Sequence, residues 1–61
     1  MTKAEQRQLD IVKKYYRMGH PDTAALALSA LIRATRSNKT RAELLTNAEV
    51  MGLINNPDFI I

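Results

Sequence analysis

Pro21-Asp22-Thr23-Ala24-Ala25-Leu26-Ala27-Leu28-Ser29-Ala30-Leu31-Ile32-Arg33-Ala34-Thr35-Arg36 is the stretch that decides the fold of this 61-residue chain. Alanine and leucine dominate it, and both favour the helix because neither loses much rotamer freedom there. Pro21 fits a first helical turn, where its missing N–H is not needed. Asp22 suits the positive N-terminal end of the helix dipole, and Arg33 and Arg36 suit its negative C-terminal end. The stretch therefore predicts a helix over about 21–36. At about 100° per residue, Ala24, Leu28, Leu31 and Ile32 share one large-residue face, and Ala27, Ala30 and Ala34 share a second, small-residue face. Ser29, Arg33 and Arg36 mark the only polar arc, with Leu26 at its edge. A helix apolar nearly all round is a buried helix, and two other helices in so short a chain can barely surround it.

Those two other helices are legible on either side. Upstream, Thr2-Lys3-Ala4-Glu5 is a capping box, and Gly19 is a stop, so a helix is predicted over about 3–18. Downstream, Ser37-Asn38-Lys39 reads as a turn and Thr40-Arg41-Ala42-Glu43 as a second capping box. A third helix is then predicted over about 41–51, ended by Gly52, with Leu53 placed for the apolar contact of a Schellman motif. Its stripe is Leu44, Leu45, Ala48 and Met51, with Val50 off the stripe. Thr46-Asn47-Ala48-Glu49 repeats the box pattern, which leaves open a split near Asn47. Asn55-Asn56-Pro57-Asp58 is a turn, and Phe59-Ile60-Ile61 forms a short apolar C-terminal tail. The expectation is one all-α, three-helix domain spanning residues 1–61, with the second helix central and short loops favouring antiparallel neighbours.

A single core is marginal at this length. Disulfides and thiolate metal sites are excluded by the absence of cysteine, and the one histidine, His20, cannot hold zinc alone. A homodimer is the remaining support and is expected. No stretch is apolar for the roughly 18 residues a membrane span needs, and no signal-peptide pattern opens the chain, so a cytoplasmic protein is expected.

Catalysis is the class the residues speak against. One histidine and no cysteine cannot build a Ser/His/Asp or Cys/His set. The two glycines, Gly19 and Gly52, are too far apart for a phosphate loop. No cofactor, metal or small-molecule substrate is expected. His20 reads as a loop residue before proline, against the sharper reading of a pH-sensitive contact.

Charge is unevenly spread. Residues 1–41 hold all nine cations against Glu5, Asp10 and Asp22, a net +6, whereas residues 42–61 hold only Glu43, Glu49 and Asp58, a net −3. On the first helix Lys3, Gln6, Arg7, Asp10, Lys13, Lys14 and Arg17 form a basic half. Ala4, Leu9, Ile11, Val12, Tyr15, Tyr16 and Met18 form an apolar half, wide enough to meet two neighbours or a second subunit. The basic half has three readings: phosphate backbone, an anionic membrane, or a solvated face that keeps the domain soluble. Tyr15 and Tyr16 diverge by about 100°, so one is expected in the core and the other against a partner. The second and third helices, joined by a short turn, also satisfy the outline of a helix-turn-helix unit. Lys39 and Arg41 would stand at the start of the recognition helix, with Arg33 and Arg36 nearby, although Glu43 and Glu49 oppose phosphates.

The run Gly19 to Ala34, together with Gly52-Leu53 and Asn56-Pro57-Asp58-Phe59, resembles short uncharacterised all-helical open reading frames of bacteriophages and prophages. The resemblance covers about half the chain. It implies a small accessory protein of the bacterial cytoplasm that binds a host or phage protein, or a small DNA-binding regulator.

Two functional expectations result. The first is a homodimeric protein-interaction module whose contact uses Tyr16, Leu26, Ala27, Ala30 and Phe59, with the C-terminal tail as a clamp. The alternative is a basic nucleic-acid-binding regulator, using Lys3, Arg7, Lys13, Lys14 and Arg17, or Arg33, Arg36, Lys39 and Arg41.

Overall fold

A computed structural model describes residues 1–61 as α1 (Lys3–Arg17), α2 (Pro21–Ala34), α3 (Asn38–Val50) and a single 3₁₀ turn, Leu53–Asn55. There is no strand, and the all-α, three-helix reading holds.

Local chemistry explains each boundary. At the start of α1, Thr2 Oγ1 accepts from the Glu5 N–H at 3.1 Å while Glu5 Oε1 accepts from the Thr2 N–H at 2.8 Å, so the capping box forms as read. At its end, Gly19 adopts φ +85°, the Gly19 N–H donates to the Tyr16 carbonyl at 3.2 Å and the His20 N–H to Tyr15 at 2.9 Å. These are the two bonds of a Schellman motif, and they turn the chain straight into α2.

The second and third helices begin and end differently from the sequence reading. Helix α2 stops at Ala34 rather than Arg36, because Thr35 is extended (φ −70°, ψ 140°). Helix α3 starts at Asn38 rather than 41, because the Ser37 hydroxyl accepts from the Thr40 N–H at 3.2 Å and is the true N-cap. Thr40 is therefore a capped residue inside the first turn, and the Thr40/Glu43 box does not form. Nor is α3 split. Thr46 Oγ1 donates back to the Ala42 carbonyl at 3.0 Å and Asn47 Nδ2 to the Glu43 carbonyl at 2.9 Å. With their polar groups engaged on the preceding turn, these residues stay in the helix. Gly52 then stops it in the left-handed conformation (φ 72°), and Leu53 is buried.

The core is one cluster: Leu9 and Val12 from α1, Ala24, Ala25, Leu28 and Ile32 from α2, Leu44 and Ala48 from α3, and Leu53. Ala27, Leu31, Leu45, Met51 and Phe59 pack around it half-buried. The largest interface is α1 with α2, and α2 also meets α3 and the 3₁₀ turn, so α2 is central as expected. The radius of gyration is 10.2 Å, close to the roughly 10.5 Å expected for a compact chain of this length.

One face of α2 differs from its sequence reading. Ser29, expected on a solvated arc, has 0% exposure. It lies within about 20° of Asp22 on the helix wheel, as does Arg33, and the C-terminal tail runs along that line. Asn56 Nδ2 donates to Asp22 Oδ1 at 3.0 Å, and the Arg33 guanidinium donates to the Ile60 carbonyl. Phe59, between these anchors in sequence, packs on the core. The tail is thus a strap along α2. Ser29 answers its burial by donating to the Leu26 carbonyl at 3.0 Å, and no buried side-chain polar atom is left without a partner.

Candidate interaction surfaces

The apolar half of α1 divides into two rows. Glu5, Leu9, Val12 and Tyr16 form the row turned toward the fold, where Leu9 and Val12 are buried and Glu5 is half-buried. Ala4, Gln8, Ile11, Tyr15 and Met18 form the next row, and all five are exposed. Their alternating spacing of four and three residues is that of a helix-pairing seam. Sequence reading merged the two rows into one half. The spacing was the available signal, but it could not say which row the core takes. Tyr15 and Tyr16 are comparably exposed, at 38% and 40%, so the expected division of one core and one surface tyrosine does not occur. The Tyr15 ring meets the His20 ring edge-on, with centroids 6.4 Å apart.

The cations of α1 stand beside this outer row. Lys3, Arg7, Lys14 and Arg17 are exposed and Lys13 is half-buried, and none of the five side chains donates a hydrogen bond within the chain. Arg7 and Lys14 lie along one flank of the Ile11/Tyr15/Met18 seam.

The second group of basic residues is more engaged. Arg41 is half-buried and donates to the Thr35 carbonyl and to Asn38 Oδ1, both at 2.9 Å. Arg33 is held by the strap, and Thr40 is buried. Only Arg36 and Lys39 of this group are exposed and free of such bonds. The turn between α2 and α3 thus uses Arg41 to hold itself together.

Thr35 is the junction of that turn. It is 5% exposed, its hydroxyl donates to Glu5 Oε2 at 2.6 Å, and the same oxygen lies 3.4 Å from the Ser37 N–H. Hydrogen bonds from the Thr2 backbone and the Thr35 hydroxyl hold the Glu5 carboxyl below its ordinary value of 4.5, since both stabilise the charged form.

Of the expected self-contact residues, Leu26 is half exposed and Ala30 is exposed beside it, one turn on. Ala27 and Phe59 are half-buried against the chain's own core. Ile60 and Ile61 remain exposed at the end of the strap, and Val50 is 81% exposed. No cavity opens in the domain, no group of three or more acidic or histidine side chains converges, and no helix is long and apolar enough to cross a membrane. No family model, no curated protein and no solved structure matches the chain.

Proposed function

We propose that the protein is a non-enzymatic helical interaction module that self-associates and binds a protein partner. The observation that carries this reading is the pair of exposed apolar rows on adjacent helices: Ile11 and Tyr15 on α1 with Met18 at its C-cap, and Leu26 beside Ala30 on α2. Scattered apolar side chains are ordinary on a surface, whereas rows at helical spacing are what helix pairing uses. The α1 row has Arg7 and Lys14 along its flank, which suits an acidic amphipathic helix of a bacterial or phage protein. Self-association is tested by sedimentation equilibrium over a wide concentration range. A dimer is expected, and a monomer at the highest concentration would remove this part of the reading.

A second reading is nucleic-acid binding through α1, favoured by five cations on that helix whose side chains make no hydrogen bond inside the chain. The helix-turn-helix version is less favoured, because Arg41 is engaged in the turn and Thr40 is buried.

A further inference from the structure

We infer that α2 pairs antiparallel with α2 of a second copy, each Leu26 seated on the partner's Ala30 and each Asp22 facing the partner's Arg33. This rests on the self-association reading and specifies its geometry.

The outward face of α2 is Asp22, Thr23, Leu26, Ala30, Arg33 and Ala34, all exposed. Its centre is one large side chain next to one small one, a turn apart, and its two ends carry opposite charge. An antiparallel two-fold axis at the level of residue 28 sets Leu26 against the partner's Ala30, so a large side chain fills the space a small one leaves. The same operation sets Asp22 level with the partner's Ala34, one residue from its Arg33. Asp22 and Arg33 lie within about 20° of each other around the helix, and a two-fold axis perpendicular to both helices pairs like edges. The edge that carries them therefore receives one Asp22–Arg33 pair at each end. A parallel arrangement puts residues of the same number level and brings no opposite charges together.

The strap borders this same edge through Asn56 at Asp22 and Ile60 at Arg33. Exposed Ile60 consequently stands beside the proposed contact. The α1 seam is the competing self-contact, and its charges oppose it. Arg7 and Lys14 occupy one flank, and antiparallel pairing sets that flank against its own copy, cation on cation. The α2 face is the self-complementary one of the two.

The chain lacks cysteine, so single cysteines report the register. Leu26→Cys and Ala30→Cys, both at exposed positions, are made separately and oxidised alone and as an equimolar mixture. The inferred pairing predicts a disulfide dimer in the mixture and little in either variant alone, since the bridge requires Cα atoms within about 7 Å. Sedimentation adds a charge test: Asp22→Arg and Arg33→Asp should each weaken the dimer by about tenfold, and the double exchange should recover most of that loss. Circular dichroism confirms that each variant is helical. A monomeric wild-type protein overturns both the self-association reading and this pairing. A dimer in which Leu26→Cys cross-links to itself, or in which the mixture yields no more disulfide than either variant alone, overturns the pairing alone.

Discussion

The Thr35 hydroxyl donates to Glu5 Oε2 at 2.6 Å, joining the first turn of α1 to the end of α2 across 30 residues of sequence. Glu5 already closes the capping box on Thr2, so one carboxylate holds both its own helix start and the neighbouring helix end. Its pKa is lowered by these bonds, which fixes the sign of the pH dependence. The stability it contributes is present above the ordinary value of 4.5 and is lost as pH falls through the lower folded value. Thr35→Val should lower the urea midpoint at pH 7, and its difference from wild type should narrow once the carboxyl is protonated. An equal difference at both pH values would mean that the bond does not favour the charged form.

Ser37, not Thr40, caps α3. Ser37→Ala should cost about 1 kcal/mol, the usual worth of an N-cap side chain. Glu43→Ala, which would break the box read from sequence, should stay within about 0.5 kcal/mol as an ordinary exposed substitution. Urea denaturation of the two variants compares them directly, and the reverse ranking would put the helix start near residue 41.

The two misplaced ends around this turn have a common cause. Ser37 and Thr40 are both competent caps, and sequence pattern favoured the one with a glutamate three residues on. The choice was made by Thr35, whose extended backbone brings its hydroxyl to Glu5 and its carbonyl to Arg41. Those partners lie outside any local window. Ser29 was misread for the same reason, because the line of α2 on which it lies is bridged at Asp22 and Arg33 by Asn56 and Ile60 of the tail. What was local was legible: the Thr2/Glu5 box, the stops at Gly19 and Gly52, the burial of Leu53, and the central place of α2. On the surface, the exposure of Leu26 and Ala30 could be anticipated from α2 being apolar all round, whereas the separation of the α1 rows required knowing where α2 lies.

The strap makes a prediction of its own. Phe59 is the apolar anchor between the polar contacts of Asn56 and Ile60, and it packs half-buried on the core. Phe59→Ala should destabilise by about 1–3 kcal/mol, less than the roughly 3–5 kcal/mol of a fully buried phenylalanine. Exchange of the Ser29 amide stays slow within α2 in either case, so the sensitive measure is protection of the Asn56 and Phe59 amides, which donate to Leu53 and Asn56. Those two amides should lose protection in Phe59→Ala at denaturant concentrations where α1 and α2 remain intact. Concerted loss with the helices would mean that the strap is part of the global folding unit.

Nucleic-acid binding separates the two basic groups. The side chains of the five α1 cations make no hydrogen bonds within the chain, whereas those of Arg33 and Arg41 already donate to the strap and the turn. If phosphates are bound, α1 should do it. The affinity for a mixed duplex pool would then fall steeply with salt, with a log–log slope of at most about −4.5 per chain when all five cations each displace a counterion. Lys13→Glu combined with Lys14→Glu should abolish that binding, because two contacts become repulsions. Arg36→Glu combined with Lys39→Glu should change it little. Arg41→Gln should lower the urea midpoint, since it removes a charge-assisted bond to a half-buried turn, while leaving the affinity of the folded protein intact. Loss of binding on changing Arg36 and Lys39, with the α1 pair silent, would move the contact to the helix-turn-helix side of the molecule. No binding by wild type at low salt would leave the α1 cations to a protein partner, where Arg7 and Lys14 flank the Ile11, Tyr15 and Met18 row.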